Sequence, residues 1–534
     1  MTYAAEKDKL SRKPFTIIKI EMDTTISDGG AEYHCYGVTP FGQLFYSHDI
    51  KNGYNPTPTK MSIASGLGFR GHISVKLNDF SFGDTGTYFG RLLANNPYYL
   101  DRKIKVYTGF YDGVTFDWAN FKEHLYFIKK IVGPDSKGFV TITAADPLTL
   151  LDDDQAQAPA HSDGTLAGPL TDSATGTISV TDNTGFDSGG GVANFDGELV
   201  KYSGLSAGTS LVVTERGSFG SEAKAHEADE AVRNCYHFDG LNVVDVVRSL
   251  IEDFSPIDHA NYIDDTAWNL ERDNYLIGDL VTGVISDPTD VKSIVEDLCK
   301  QAWLSLWWDD TEQTIKLKAI GPNVTANTAI NKNEHILESG EKQKRDPTKA
   351  ISEVWIYYGR IDLSKDATEP KNYSSLYIDL DADATTGHLK PKIKKIFAKA
   401  IPASGGSSVS KLASRILSQN KIGLHEYAFE LDIKDADVTT GEAVTVSTDL
   451  IQGVDGVEVP TNFMVVERDK IGDTKYQYKA IKTGFLEGAN YGVVAPNGTL
   501  DYLSETAENK AKYCFIASDV DSKMSNDDDP TLII

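Results

Sequence analysis

The sequence predicts a mainly β protein with α+β parts: two β-barrel or sandwich domains, an inserted small β module and an α+β domain. Three observations carry this reading. Apolar and polar residues alternate over short runs near both ends of the chain, the period of a half-buried strand. Helical spacing of apolar residues is confined to the middle and to one later stretch. Gly- and Asp-rich turns punctuate the whole. At 534 residues the chain is too long for one core and should divide into about three to five domains.

Residues 1–151 read as an N-terminal β domain. PFTIIKIEMD opens it with Phe15, Ile17 and Ile20; HISVKLNDF puts Ile73, Val75 and Leu77 on one face, and KIKVYTGFYDG does the same with Ile104 and Val106. HLYFIKKIVG and GFVTITAAD complete an antiparallel set ending near Asp146. Residues 152–234 read as a linker, DDDQAQAPAHSDGT, followed by a small inserted β module from about residue 165. The module holds TGTISVTD, a glycine run at 189–191, and strands at 198–203 and 210–214 around a GLSAG turn. RGSFG and an Ala/Glu/His-rich stretch carrying His226 follow.

Residues 235–345 read as α+β. In GLNVVDVVRSLIEDFSP, Val243, Val244, Val247, Leu250, Ile251 and Phe254 fall at helical spacing, with Asn242 as N-cap and Pro256 as a stop. A second helix is expected from Asp287-Pro288-Thr289-Asp290, Asp287 capping and Pro288 in the first turn. Its apolar face is Val291, Ile294, Val295, Leu298 and Ala302, with Cys299 at the edge and so in the core. WLSLWWDDTEQTIKLKAIG reads as a hairpin turning at Asp309-Asp310-Thr311. Residues 346–485 read as a second β domain with one helix, at 408–421, and residues 486–534 as a polar C-terminal tail or arm.

Composition excludes more than it assigns. With 52 basic against 78 acidic residues the net charge is −26, the wrong sign for replacing counterions on phosphates, so specific nucleic-acid binding is not expected. No apolar run approaches the ~20 residues of a membrane-spanning helix. The start, MTYAAEKDKLSRKPF, lacks the apolar core of a secretory signal, so folding in a cytoplasm is expected. The four cysteines, Cys35, Cys235, Cys299 and Cys514, form no CxxC pair; four separate thiols or a convergence in space on one metal or iron–sulfur cluster both remain open.

Motifs for chemistry are weak. Residues 66–71, GLGFRG, match the dinucleotide pattern but lead into a strand, where that pattern must open a helix. Asp379, Asp381 and Asp383 alternate as in a calcium loop, yet Ala384 and Lys390 stand where glycine and a carboxylate are required. HExxH, GxSxG and P-loop motifs are absent. The eleven histidines stand singly, and His226 reads as a helix-surface or turn residue. No residue is assigned as catalytic, cofactor-binding or metal-ligating, and no cofactor is expected.

Two segments carry a family likeness. In the inserted module, Glu198, Tyr202, Ser203 and Gly204, then Glu215, Arg216, Gly217, Phe219, Gly220, Ser221, Ala223 and His226 resemble the small β insertion of bacteriophage and gene-transfer-agent tail proteins. NCYHFDGLNVVDVVRSLIEDF with DLCKQAWLSLWWDDTEQTIKLKAIGP, and FGDTGTYFGRLLANNPYYLDRKIKVYTGF before them, resemble the tail-tip (baseplate) hub proteins of long-tailed phages.

The resemblance implies two related tube-like β domains per subunit and a homotrimer whose pseudo-sixfold ring matches a hexameric tail tube. Partners would be the distal tail protein or tail tube above and tail-tip fibre or receptor-binding proteins below. The protein would be a structural, non-enzymatic part of the virion tail tip and DNA channel, made in the host bacterial cytoplasm. The inserted module becomes a decoration packing on neighbours, its glycines supplying turn conformations, with Arg216 either an interface ion-pair partner or a solvated strand-end residue.

Two alternatives stand within tail assembly. A hexameric distal tail protein would carry one tube-like domain. A receptor- or carbohydrate-binding tip protein would stack sugars on NNPYYL, WLSLWW or EVWIYYG. A tail-tip enzyme, such as a peptidoglycan hydrolase, is the remaining reading.

Overall fold

The computed structural model describes residues 3–9, 12, 14–21, 31–35, 46–47, 56–58, 60–62, 66–68, 71–79, 86–110, 116–152, 156–206, 208–320, 326–337, 340–421, 423–482, 490–494, 502–506, 509–510, 513–515 and 531–533. The fold is mainly β with α+β parts, as the alternation requires.

After a short helix, α1 (Tyr3–Lys7), the first large sheet comprises β1 (Pro14–Glu21), β2 (Ala31–Cys35), β3 (Tyr46–Ser47), β4 (His72–Asn78), β5 (Lys103–Phe110), β6 (Phe121–Val132) and β7 (Phe139–Ala145). Their order is β3-β2-β1-β5-β6-β7-β4. Ile73, Val75 and Leu77 point into one core with Ile18, Ile104 and Val106. A helix that the alternation did not announce, α2 (Tyr88–Asn95), covers this core with Tyr88 and Phe89 and is capped by the Thr87 side chain.

Residues 156–158, read as part of a polar linker, instead pack tightly. Ala156 and Ala158 are fully buried, and β8 (Gln157–Ala158) pairs with a short strand of the central region. The inserted module supplies β9 (Gly176–Ser179), β10 (Gly191–Phe195), β11 (Glu198–Ser206) and β12 (Ser210–Glu215). Next comes β13 (Val232–Asn242), which pairs with β10 over its first four residues and with β14 (Leu280–Ile285) over the rest. Module and central region therefore share one six-stranded sheet, β14-β13-β10-β11-β12-β9.

Between β13 and β14 lie α3 (Val243–Phe254), α4 (His259–Tyr262) and α5 (Asp265–Tyr275). Asn242 caps α3 as expected, its side chain accepting from the Val244 N–H. The next helix starts later than its sequence suggests. Thr289 and Asp290 form β15 (Thr289–Asp290), the partner of β8, and α6 (Val291–Ala302) is capped by Asp290, which accepts from Ser293 N–H at 3.0 Å. The expected cap, Asp287, pairs with Arg233 at 2.6 Å instead. The reason is tertiary: ladder pairing with β8 holds the two residues before Val291 extended. Cys299 lies at full burial on α6, in one core with α3. The hairpin β16 (Leu304–Asp309) and β17 (Thr314–Ala319) turns where expected.

The second large sheet takes β18 (Ala326–Asn331) and β19 (Lys342–Asp346) from one side of a smaller unit. That unit is a three-stranded sheet, β20 (Glu353–Arg360), β21 (Tyr373–Leu380) and β22 (Ile393–Phe397), with helices α7 (Ala382–Gly387) and α8 (Gly406–Asn420). The large sheet continues with β23 (Leu424–Asp432), β24 (Ala443–Ser447), β25 (Thr461–Lys470) and β26 (Lys475–Lys482), in the order β18-β24-β25-β26-β23-β19. Of the C-terminal tail, the described parts include β27 (Asn490–Val494), β28 (Tyr513–Cys514) and β29 (Thr531–Ile533), paired in one small sheet; the rest of that region lies outside the described residues.

The two large sheets share a plan. In each, three consecutive strands form a meander whose last strand pairs with an earlier one: β5-β6-β7-β4 in the first, β24-β25-β26-β23 in the second. The registers coincide. Ala144 lies between Ile73 and Ile128, and Ala480 between Tyr427 and Val465. One residue later in β6 and β25 each ladder skips a residue, Lys129 in one and Val466 in the other, a β-bulge at the same place. The strand beside the meander differs in direction, since β1 runs antiparallel to β5 and β18 parallel to β24.

Candidate functional site

The module residues singled out by sequence converge on one buried ion cluster. Glu198 opens β11, Arg216 follows β12, and His226 returns beside Leu170 through a strand bridge. Neither sequence reading of Arg216 holds: its side chain is 5% exposed and faces inward, not toward solvent or a neighbour. Its Nε and one terminal nitrogen donate to the two Glu198 oxygens at 2.7 and 2.8 Å, a bidentate pair. Its remaining donors reach the carbonyls of Thr171, Ala174 and Lys224. All five guanidinium N–H groups are thereby used.

His226 is likewise no surface residue, its side chain being fully buried. Nε2 lies 2.9 Å from Glu198 Oε2 and Nδ1 2.6 Å from Glu230 Oε2, a residue that sequence alone did not single out. Glu198 also accepts from the backbone N–H of Gly217 (2.8 Å) and Lys224 (3.1 Å). Burial by itself would raise the Glu198 carboxyl, but the bonds from Arg216 and His226 override it and hold the group at about 2. A carboxylate saturated by five donors has no lone pair to offer a substrate. The cluster is a keystone that ties the 171–174 loop, β11 and the 216–230 return together.

The same segment docks the module onto the rest of the chain. Phe219 and Gly220 both have positive φ, and a Cβ on Gly220 would lie 1.9 Å from the Ile361 carbonyl. Leu363 N–H donates to Phe219 O at 3.1 Å. Phe219 and Leu363 pack with Val192, Leu199 and Cys235 in a small core. Only a glycine admits this approach.

A second polar concentration sits where the two large sheets and the β16–β17 hairpin meet. Arg468 of β25 donates to Tyr478 OH (3.1 Å), Ala436 O (2.9 Å) and Thr311 Oγ1 (3.3 Å), its guanidinium 4.2 Å from the Tyr476 ring centroid. His124 of β6 joins Thr108 Oγ1 at 2.8 Å through Nε2 and Asp310 through Nδ1. Burial pushes Lys470 down to about 8 and raises Asp309, whose carboxylate caps the hairpin turn through Thr311 and Glu312 N–H. The cavity these groups line measures about 70 Å³. That suits a few waters rather than a ligand, since small-molecule sites run to roughly 300–1,000 Å³. The arrangement is a polar joint between sheets.

The remaining sequence candidates scatter. Asp381 caps α7 through Ala384 N–H and Asp379 accepts from Leu380 N–H, so these two acids serve local backbone; the Asp383 side chain lies outside the described set. Of the glycine-rich stretch, residues 69–70 lie outside the described set; His72 after it begins β4. The Cys35 side chain also lies outside it. Cys235 and Cys299 are buried, and burial pushes the Cys299 thiol up to about 12. Among the described residues no group of three or more His, Cys, Asp or Glu side chains is placed to hold a metal ion. No helix among them is long and apolar enough to cross a membrane. Trp303, Trp307 and Trp308 of the WLSLWW stretch are buried at 4, 3 and 1% exposure, so they cannot stack on a sugar, whereas Tyr98 is 73% exposed.

No protein-family model matches the chain, and no curated protein does. Solved structures similar to it include tail proteins and a type VI secretion component. The tail protein from Neisseria meningitidis MC58 aligns at 10% identity over 89% of this chain and 98% of its own, with a TM-score of 0.43. The 43 kDa tail protein of prophage MuSo2 from Shewanella oneidensis aligns at 9% identity over 88% and 98%, with a TM-score of 0.41. The Escherichia coli c3393 protein, described as a type VI secretion component with structural similarity to the T4 tail proteins gp27 and gp5, aligns at 7% over 84% and 82%, with a TM-score of 0.32.

Proposed function

We propose that the chain is a structural, non-enzymatic hub protein of a phage-like tail tip, acting as a homotrimer that joins the tail tube to the tip and lines part of the DNA channel. One observation carries the reading: the two large sheets repeat one strand order with a bulge at the same position. A subunit holding two copies of one β unit converts threefold symmetry into six similar positions. That is what a connector between a hexameric tube and a threefold tip needs. The same observation weighs against the hexameric distal tail alternative, for which a single such sheet is expected. Burial of Trp303, Trp307 and Trp308 removes one aromatic platform of the sugar-binding alternative.

The marker residues of the inserted module support the tail assignment, and the net charge of −26 suits a conduit that DNA crosses without adhering. Partners on this reading are the distal tail protein or tube above and fibre or receptor-binding proteins below. The test is position and number in the particle. Antibody labelling with electron microscopy of intact particles should mark the tail tip, and light scattering should give a threefold mass. Label along the tube, or a sixfold mass, overturns the hub reading.

A further inference from the structure

We propose that the loop between β24 and β25 (residues 448–460) docks on the far end of the β6–β7 hairpin (residues 130–139) of a second copy of this chain, head to tail. The surface is derived from the repeated sheets; only the closure of the contact into a ring of three rests on the hub reading.

Inside one chain the two sheets already meet in a defined way. The β5–β6 end of the first sheet supplies Phe110 to the second sheet's core, with Tyr3 packed on it at 5.5 Å. Lys122, just inside that hairpin, lies 5.0 Å from the Tyr3 ring and feels the charges of Arg468 and Asp437. The receiving side is the β25–β26 end of the second sheet, where Arg468 and Tyr476 stand. Lys60 bridges to Glu467 there, and Met61 N–H donates to the carbonyl of the bulged Val466.

Matching strands assign the counterparts of both surfaces. The second sheet's equivalent of the β5–β6 end is the β24–β25 end. The first sheet's equivalent of the receiving β25–β26 end is the β6–β7 end, with Lys130 at the position of Glu467. Both counterparts lie open. Leu450, Val454 and Val457 of the loop are 43, 111 and 59% exposed, and Val132 at the β6 terminus is 50% exposed. Beyond Ile128, β6 has a ladder partner only on its β7 side among the described residues.

Charge completes the match. Residues 448–460 carry Asp449, Asp455 and Glu458 and no Lys or Arg, whereas residues 129–138 carry Lys129, Lys130 and Lys137 against one acid, Asp135. Asp449 is already paired with Lys332, and Lys129 with Asp101. Exposed Asp455 and Glu458 are thus left to meet exposed Lys130 and Lys137. A heterologous contact brings the acidic loop of one copy to the basic hairpin of the next and leaves each copy one free patch of either sign, so the contact can repeat into a ring.

The experiment uses the full chain. Asp455→Lys with Glu458→Lys, and separately Lys130→Glu with Lys137→Glu, should each weaken self-association about tenfold or more in sedimentation equilibrium. The four changes in one chain should restore it. All these positions are at the surface, so melting curves should match wild type. As a second arm, oxidising a mixture of a Val454→Cys variant and a Val132→Cys variant should give a cross-linked dimer that neither gives alone. Association indifferent to both charge pairs, or a mixture that does not cross-link, overturns the docking surface while leaving a trimeric hub standing. A wild-type chain that stays monomeric and does not cross-link overturns it as well. Label away from the tail tip would overturn the hub reading without touching this contact.

Discussion

Replacing Glu198 by alanine should unfold the inserted module while sparing the second large sheet. The carboxylate accepts five hydrogen bonds, two of them from the Arg216 guanidinium. Removal leaves that guanidinium buried at 5% exposure without its counter-charge, the situation that costs about 3–5 kcal/mol when one member of a buried pair is deleted. Because the folded carboxyl is held at about 2 against the ordinary glutamate value of 4.5, the sign of the pH dependence is fixed. Its contribution is complete above about pH 4.5 and is lost as the pH falls toward 2. Hydrogen–deuterium exchange is the assay. Amides of residues 191–215 should lose protection in Glu198→Ala at pH 7, those of 424–482 should not, and the variant should lose the wild-type module's decline below pH 4.5. A loss under about 1 kcal/mol, or equal loss in both sheets, refutes the keystone assignment.

Gly220→Ala combines a positive φ with a backbone carbonyl 1.9 Å from the new Cβ. It should cost at least about 1–2 kcal/mol and expose residues 361–363 to exchange; unchanged protection there counts against the docking contact. Cys299→Ser puts a hydroxyl at full burial and should destabilise the chain by about 1–3 kcal/mol in urea melts. In the native wild type that thiol should resist aromatic disulfide reagents, and rapid labelling at Cys299 would place it outside the core. Lys470 releases its proton at about 8 in the fold but near 10.5 when unfolded, so the unfolded state binds more protons in between and stability rises with pH across that window. Lys470→Gln should flatten the rise between pH 8 and 10, and equal slopes in both proteins would refute this.

Local features were legible in the sequence and long-range ones were not. The valine and leucine spacing after Asn242 defines α3 and its cap because both depend only on neighbours a few residues away. In the DPTD stretch the cap is Asp290 and not the expected Asp287, because the stretch pairs with Gln157–Ala158, a strand about 130 residues earlier in the chain. Helix α5 had its signal in place, Asp264 accepting from Thr266 and Ala267 N–H, but with its polar sequence it lacks a strong apolar stripe.

The cluster residues were visible as a set, yet their roles were not. Glu198, Arg216 and His226 meet only because β11, β12 and the return past Leu170 stack in one module. Beyond the matched alanines, Ala144 and Ala480, the repeated sheets left little trace in residue identity. Ile73 answers to Tyr427 and Lys130 to Glu467, so only the alternation of buried and exposed positions is common to both.

Strand β13 sets how the module moves. From Val232 to Asn242 it is laddered first to β10 and then to β14, with one bulge near Asp239, and at Asn242 it passes straight into α3. No loop interrupts the path, so the backbone works as a splint. A torque on the module's rim at residues 208–209 cannot be taken up by swivelling about a linker. It arrives at α3 and, through the packing of α3 on α6, in the central core. Whatever seats itself against the module therefore pulls on the middle of the protein as a lever arm does, and the stiffness of that arm is the stiffness of a hydrogen-bonded sheet.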